Sequence, residues 1–325
     1  MNLASLFRRG GGKQQDAQAS STCCVSIEAG QLVLTQISRV NAHPVLMHHA
    51  ILPVPLGLTT ATLTALFSGH DLRDSQLIHV LSMKQYHLHL TELPNVPPDE
   101  VKLALSWRLA ELFADNTEQQ VPDASNFSFD LLALPSTQAG SPATQGLVFG
   151  LTNHILQPLQ MAYFDANLPL QTVDVPDQAQ RNLSALAEPD ERGLAVLSFN
   201  ASGGLLTVTH GGELYLTRHL ETTLDQLAQA DDYTRGVILE RVALEVQRSL
   251  DVFDRQYHAL GLSKLLLAPM PSMPTLLQTL TQNLFLPVDW FDLTAVIDMP
   301  ANLPGWLLWQ SLGGALRPTT ANKLA

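Results

Sequence analysis

Cysteine, positive charge and long apolar runs are what this sequence has least of. Its two cysteines are adjacent, at Cys23 and Cys24. They are too few for a disulfide framework or a four-ligand zinc site. On a strand they would point to opposite faces, as small buried residues. Lysine and arginine total 18 against 30 acidic residues, a net charge of −12. That excludes general nucleic-acid binding, which needs a basic surface to displace counterions from phosphates. No apolar run approaches the roughly 18 residues of a membrane span. Arg8 and Arg9 lead into glycines and glutamines rather than an apolar stretch, so no signal peptide is read and a cytoplasmic protein is expected. Neither a Gly-x-Ser-x-Gly elbow nor a His-Glu-x-x-His helix occurs, which leaves hydrolase readings without an anchor.

What is present reads as globular. The chain has 325 residues, 46% hydrophobic and 15% charged, enough for two lobes. Residues 1–21 form a Gly-, Gln- and Ser-rich tail. The first 22 residues carry a net +2 against −14 in the remainder. With Leu3, Leu6 and Phe7, residues 1–13 could make a weak, reversible contact with an anionic membrane, although a frayed terminus is the plainer reading. From there CCVSIE (23–28), QLVLTQIS (31–38) and VLMHHAIL (45–52) read as a strand meander. LAVLSF (194–199), LLTVTH (205–210) and ELYLTRHL (213–220) repeat it. The pattern restarts at PDERG (189–193). The expected organisation is a first lobe at 22–190, with an inserted α+β subdomain at about 77–140, and a second lobe at 191–325. The second lobe would hold a helical part at about 220–262, where Ile238, Val242, Val246, Leu250, Phe253 and Tyr257 keep helical spacing. In the insertion, Pro98, Asp99 and Glu100 suit a helix start. Histidines 43, 48, 49, 79, 87 and 89 cluster on strands, but no Cys or His quartet accompanies them and no metal site is expected.

Several stretches carry a family resemblance: ELPNVPPDEVKLALSWRLAELF with SFDLLAL, then LVFGLTNHILQPLQMAYFDANLPLQTVDVP, LAVLSFNASGGLLTVTHGGELYLTRHL, LEVQRSLDVFDRQ and LGGALRP. In order and spacing, from about residue 22 to 317, the chain resembles the PilM-like type IV pilus assembly proteins, including the relative that serves mannose-sensitive haemagglutinin (MSHA) pili. The resemblance implies an α/β, actin-like (FtsA/PilM-like) two-lobed fold with duplicated mixed-sheet subdomains. It implies a cytoplasmic scaffold peripheral to the inner membrane, bound to the tail of a PilN-type bitopic protein. Through that protein it would reach a PilO/PilP-type complex, with the pilus assembly ATPases as further candidate partners. It also implies an actin-type nucleotide site, with two hairpins presenting N–H groups to phosphates, an Asp on each for Mg²⁺, and a Glu or Gln that positions water.

This sequence departs from that site. Ser26 and Ser198 stand where the hairpins should carry Asp. Pro176 follows Asp174 where the water-positioning residue belongs, and Pro269-Met270-Pro271 replaces the adenosine turn. Gly203 and Gly204 then read as hairpin turn residues. The expectation is a pseudo-ATPase with no cofactor. In the alternative, an ATPase binding ATP and Mg²⁺, Glu28 or Asp174 would hold the metal. Candidates for lining a partner groove are Tyr86, Leu88, Leu90, Trp107, Phe127 and Phe129, drawn from their place in the insertion. Trp306 and Trp309 on the last helix read as core.

Overall fold

The computed structural model describes residues 21–318 apart from 55–56, 70–74, 98–99, 115–126, 137–142, 190 and 272. In one helix it describes the backbone alone at 107, 108 and 110–114. Residues 1–20 of the tail, the Pro98-Asp99 helix start and the Trp107 side chain lie outside the described residues, and Ser21 already belongs to the first strand.

The first half runs β1 (Ser21–Glu28), β2 (Gln31–Val40), β3 (His43–Pro53), α1 (Thr60–Leu66), β4 (Ser75–Val80), β5 (His87–Glu92), α2 (Val101–Ala114), β6 (Phe127–Ala133), β7 (Gln145–Thr152), α3 (Asn153–Asp165), β8 (Leu170–Asp174) and α4 (Pro176–Ala187). The second half runs β9 (Gly193–Asn200), β10 (Gly203–His210), β11 (Glu213–Leu220), α5 (Leu224–Gln229), α6 (Asp232–Gln256), β12 (Leu262–Leu267), α7 (Pro274–Asn283), β13 (Val288–Trp290) and α8 (Gly305–Ala315).

Two five-stranded mixed sheets share one topology, β3-β2-β1-β4-β8 and β11-β10-β9-β12-β13. In each, an antiparallel meander is followed by parallel strands. This is the duplication that the repeated meander anticipates, and it defines two lobes. Both central strands are apolar on both faces, as strands covered from two sides must be. Along β1, Cys23 and Val25 enter one core with α1 and α3, while Cys24 enters the layer between the lobes. Along β9, Ala195, Leu197 and Phe199 pack under α6 and α7, while Leu194 and Val196 face the inter-lobe layer.

That layer consists of α4 and α8, crossing in contact. The crossing depends on Gly313. A Cβ there would lie 2.2 Å from the carbonyl oxygen of Ala179, a backbone atom of α4. Asn182 of α4 donates to the Gly313 carbonyl at 2.9 Å across the same contact. Although α8 ends the stretch expected as the second lobe, it packs on β1, β2 and β4 of the first-lobe sheet. The chain therefore returns to the first lobe.

The inserted subdomain is also placed differently. Its sheet has the order β5-β7-β6 and spans 87–152, backed by α2. β4, expected inside the insertion, pairs in parallel with β1 and β8 in the main sheet. β7, expected beyond the insertion, is its central strand. Alternation shows that 75–80 and 145–152 are strands, but not which sheet each joins.

Candidate functional site

The β1–β2 and β9–β10 turns face each other across the gap between the lobes. Ser26 and Ser198 occupy corresponding places near the ends of β1 and β9, and both are buried. The Ser26 hydroxyl has no hydrogen-bond partner. Ser198 donates to Gln180 Oε1 at 2.5 Å. Gln180 belongs to α4 and is fully buried. Its side-chain amide donates to the carbonyls of Val196 and Leu205 and to Thr207 Oγ1, and its Oε1 also accepts from Trp309 Nε1 at 3.2 Å. Ser198 is thus one member of a satisfied network joining α4, β9, β10 and α8. Trp309 is core, with its ring edge-on to Phe291.

Asp174 is buried at the end of β8. Its Oδ1 accepts from the Val175 N–H, and its Oδ2 is ion-paired with Arg317 at 2.5 Å. Pro176 opens α4 at the position where a missing N–H costs nothing. Gly203 starts β10 at φ +149°, and a Cβ there would meet the Leu220 carbonyl at 2.5 Å. At Gly204 a Cβ would strike the Phe199 ring at 2.7 Å. Close packing against β11 and β9 accounts for both glycines.

The residue that spans the gap is Glu28, only 5% exposed. Its Oε1 accepts from the N–H of Ala201 in the opposite turn at 3.2 Å. An N–H at the tip of that hairpin is what an actin-type site would offer to phosphate. Here a carboxylate of the chain itself takes it. Glu28, Ser198, Phe199, Asn200, Pro269 and Gln310 line what remains, a cavity of about 10 Å³, room for about one water. Burial raises the Glu28 pKa to about 7, and the Ala201 and Ala29 amides oppose the rise.

A carboxyl whose folded pKa lies above its unfolded value holds its proton more tightly when folded. The Glu28 contribution to stability is then highest below about pH 4.5, falls as pH rises to about 7, and levels off above that, by up to about 3 kcal/mol. Glu28→Gln keeps the acceptor for Ala201 and removes the charge. It should be more stable than the parent at pH 8 and equal to it near pH 4.5. Urea melts of both proteins from pH 4.5 to 8 test this. The difference between the two isolates Glu28 from His79, whose pKa burial lowers to about 4 and which works in the opposite direction.

A second cluster joins the lobes. Asp177, one residue past Pro176, is fully buried. It accepts from the Tyr86 hydroxyl, from Thr217 Oγ1 at 2.6 Å and from His219 Nε2 at 3.1 Å. Burial acts to raise its pKa, but the hydrogen bond and charge of His219, with the bonds from Thr217 and Tyr86, hold it below its usual value. Tyr86 is therefore an inter-lobe anchor, and its ring stands edge-on to His219 at 5.7 Å.

The other groove candidates are not brought together. Leu88 and Leu90 pair with Phe149 and Leu147, on the sheet face towards the lobes. Phe127 and Phe129 pair with Thr152 and Gly150, on the opposite face against Leu105 and Leu109 of α2. β5 and β6 are moreover opposite edges of that sheet. One extended segment cannot line both sets, because successive side chains alternate between faces. Of the described candidates, Leu90 is the exposed one, at 51%.

Among the described residues no helix is long and apolar enough to cross a membrane. The duplicated sheets, the helix pair between them and the facing turns define an actin-like, two-lobed protein. Among solved structures, a chain of a PilM–PilN type IV pilus biogenesis complex is similar at a TM-score of 0.69 and 20% identity, covering 91% of this chain and 97% of that one. A Bacteroides thetaiotaomicron protein described as having an actin-like ATPase fold and unknown function is similar at 0.50 and 14% identity, covering 88% and 96%. No protein-family model and no curated protein matches the chain.

Proposed function

We propose that this chain is a PilM-like scaffold of a type IV pilus machine, working by protein–protein contact without nucleotide chemistry. The observation that carries the reading is the fold match to the PilM–PilN complex over nearly the whole of both chains. The resembling stretches, above all LEVQRSLDVFDRQ and LGGALRP, support it, and the MSHA pilus is one of the systems such relatives serve. On this reading the protein sits at the cytoplasmic face of the inner membrane and binds the tail of a PilN-type partner. PilO/PilP-type proteins are reached through that partner. The edge strand β5 suits backbone pairing with an extended tail, and Leu90 gives it a side-chain contact. The absence of nucleotide chemistry is argued from Glu28 on the Ala201 amide, Asp174 committed to Arg317, serines at 26 and 198, and Pro176 where acid–base chemistry would be needed.

Calorimetry tests both parts. A synthetic tail of a PilN-type protein should bind with micromolar affinity, unchanged by Mg-ATP, and Leu90→Glu should weaken it about tenfold or more without lowering Tm. Mg-ATP at millimolar concentration should give no saturable heat. Saturable ATP binding, with tail affinity that depends on it, would return the protein to the actin-like ATPases.

A further inference from the structure

The inter-lobe cavity holds an unbalanced set of groups. Glu28 is buried there, and among the described residues no lysine or arginine lines the cavity. Asp225 adds a second negative charge to its surroundings. Gln310, 6% exposed and on the same wall, has an Oε1 with no hydrogen-bond partner. Ser198 spends its proton on Gln180, which leaves its oxygen lone pairs free. Asn200 is used locally, with Oδ1 accepting from Ser202 and Gly203. The indoles of Trp306 and Trp309 complete the wall. Three acceptors on this wall are unspent: a carboxylate oxygen of Glu28, the amide oxygen of Gln310 and the hydroxyl oxygen of Ser198. A buried acceptor left unpaired is costly, and so is a buried carboxylate without a cation. The space is the size of one water.

We propose that this cavity is a monovalent-cation site, taking a potassium-sized ion between Glu28, Gln310 Oε1 and the Ser198 hydroxyl. Potassium is close to water in size and accepts neutral oxygens in place of its hydration shell. The single carboxylate balances the charge of a monovalent ion and would leave a buried divalent ion half-compensated. A bound ion would connect both hairpin turns with α8 and neutralise the charge at the point where the lobes meet. The inference rests on the reading that nucleotide does not occupy this cleft, but not on any partner. Its test is read on the isolated protein, so it can fail while tail binding stands.

The experiment is thermal melting of the full chain at pH 8 and fixed ionic strength in potassium, sodium and tetramethylammonium chloride. Tm should be about 3 °C or more higher in potassium than in tetramethylammonium, and the rise should saturate with concentration. Glu28→Gln should abolish it. Gln310→Met, which keeps the volume and removes the oxygen, should weaken it and provides an independent variant. The stabilising effect of Glu28→Gln at pH 8 should also shrink in potassium. Equal Tm in all three salts, or a potassium rise that persists in Glu28→Gln, would overturn the proposal. In crystals grown with rubidium, an anomalous peak between Glu28 and Gln310 would support it, and rubidium bound only elsewhere would refute it.

Discussion

Asp177→Ala should cost about 3–5 kcal/mol, the range for removing one partner of a buried charged pair, and lower Tm by roughly 10 °C. The carboxylate is fully buried and holds three donors from two parts of the chain. Tyr86 comes from the connection between β4 and β5, and Thr217 and His219 come from β11. Removing the carboxylate takes a partner from all three, leaving Thr217 Oγ1 without this acceptor and Tyr86 and His219 with only each other at 3.2 Å, and a buried unpaired group costs more than its bond contributes. The position at the start of α4 adds the favourable field of the helix N-terminus, which alanine cannot use. Two controls separate the causes. Tyr86→Phe removes one donor and leaves two, so about 1 kcal/mol is expected. Asp177→Asn keeps an acceptor oxygen but loses the charge, and should fall between. The sign with pH follows from the lowered pKa. A carboxylate depressed by folding stabilises above its unfolded pKa near 4 and loses that contribution as pH falls further. The parent should therefore lose stability below about pH 4 more steeply than Asp177→Asn. Guanidinium melts from about pH 2.5 to 7 on the four proteins would show this. Equal acid slopes would mean that His219 and Thr217 do not hold the charge.

Asp177 was not legible in the sequence, and the reason is physical. An aspartate beside a proline at a helix start is an ordinary N-terminal residue, and nothing near it in the chain marks it as special. Its partners are 91, 40 and 42 residues away. The duplicated meanders, by contrast, were legible because alternation and turn residues are local signals. The same locality explains the misplacement of β4 and β7. Each strand is evident in the pattern, but its neighbours are a matter of long-range pairing. In the site, the departures at Ser26, Ser198 and Pro176 could be read along the chain once a resemblance supplied the register. That Glu28 reaches the opposite hairpin could not, because it depends on how closely the two lobes approach.

The closeness of that approach is set by α4 and α8, and Gly313 is where it can be broken. A methyl group there would sit 2.2 Å from the Ala179 carbonyl oxygen, 2.5 Å from its carbon and 2.9 Å from its Cα. All three are backbone atoms of a buried helix, so no side-chain rotation relieves the clash. The helices must separate, and with them go the Asn182 bond to the Gly313 carbonyl and the Gln180 network that Trp309 completes. Gly313→Ala should therefore reach or exceed the upper end of the roughly 1–3 kcal/mol cost of overpacking, and Gly313→Val should prevent recovery of folded protein. Gly236 provides the contrast. It lies inside the exposed part of α6, with nothing within 4 Å of where a Cβ would stand. There the helix gains from alanine, and Gly236→Ala should stabilise by about 1 kcal/mol. Opposite signs from one substitution at two helical glycines, measured by urea denaturation, would show that the cost at Gly313 comes from helix contact and not from helix propensity. A Gly313→Ala protein as stable as the parent would mean that the lobes have room to move apart.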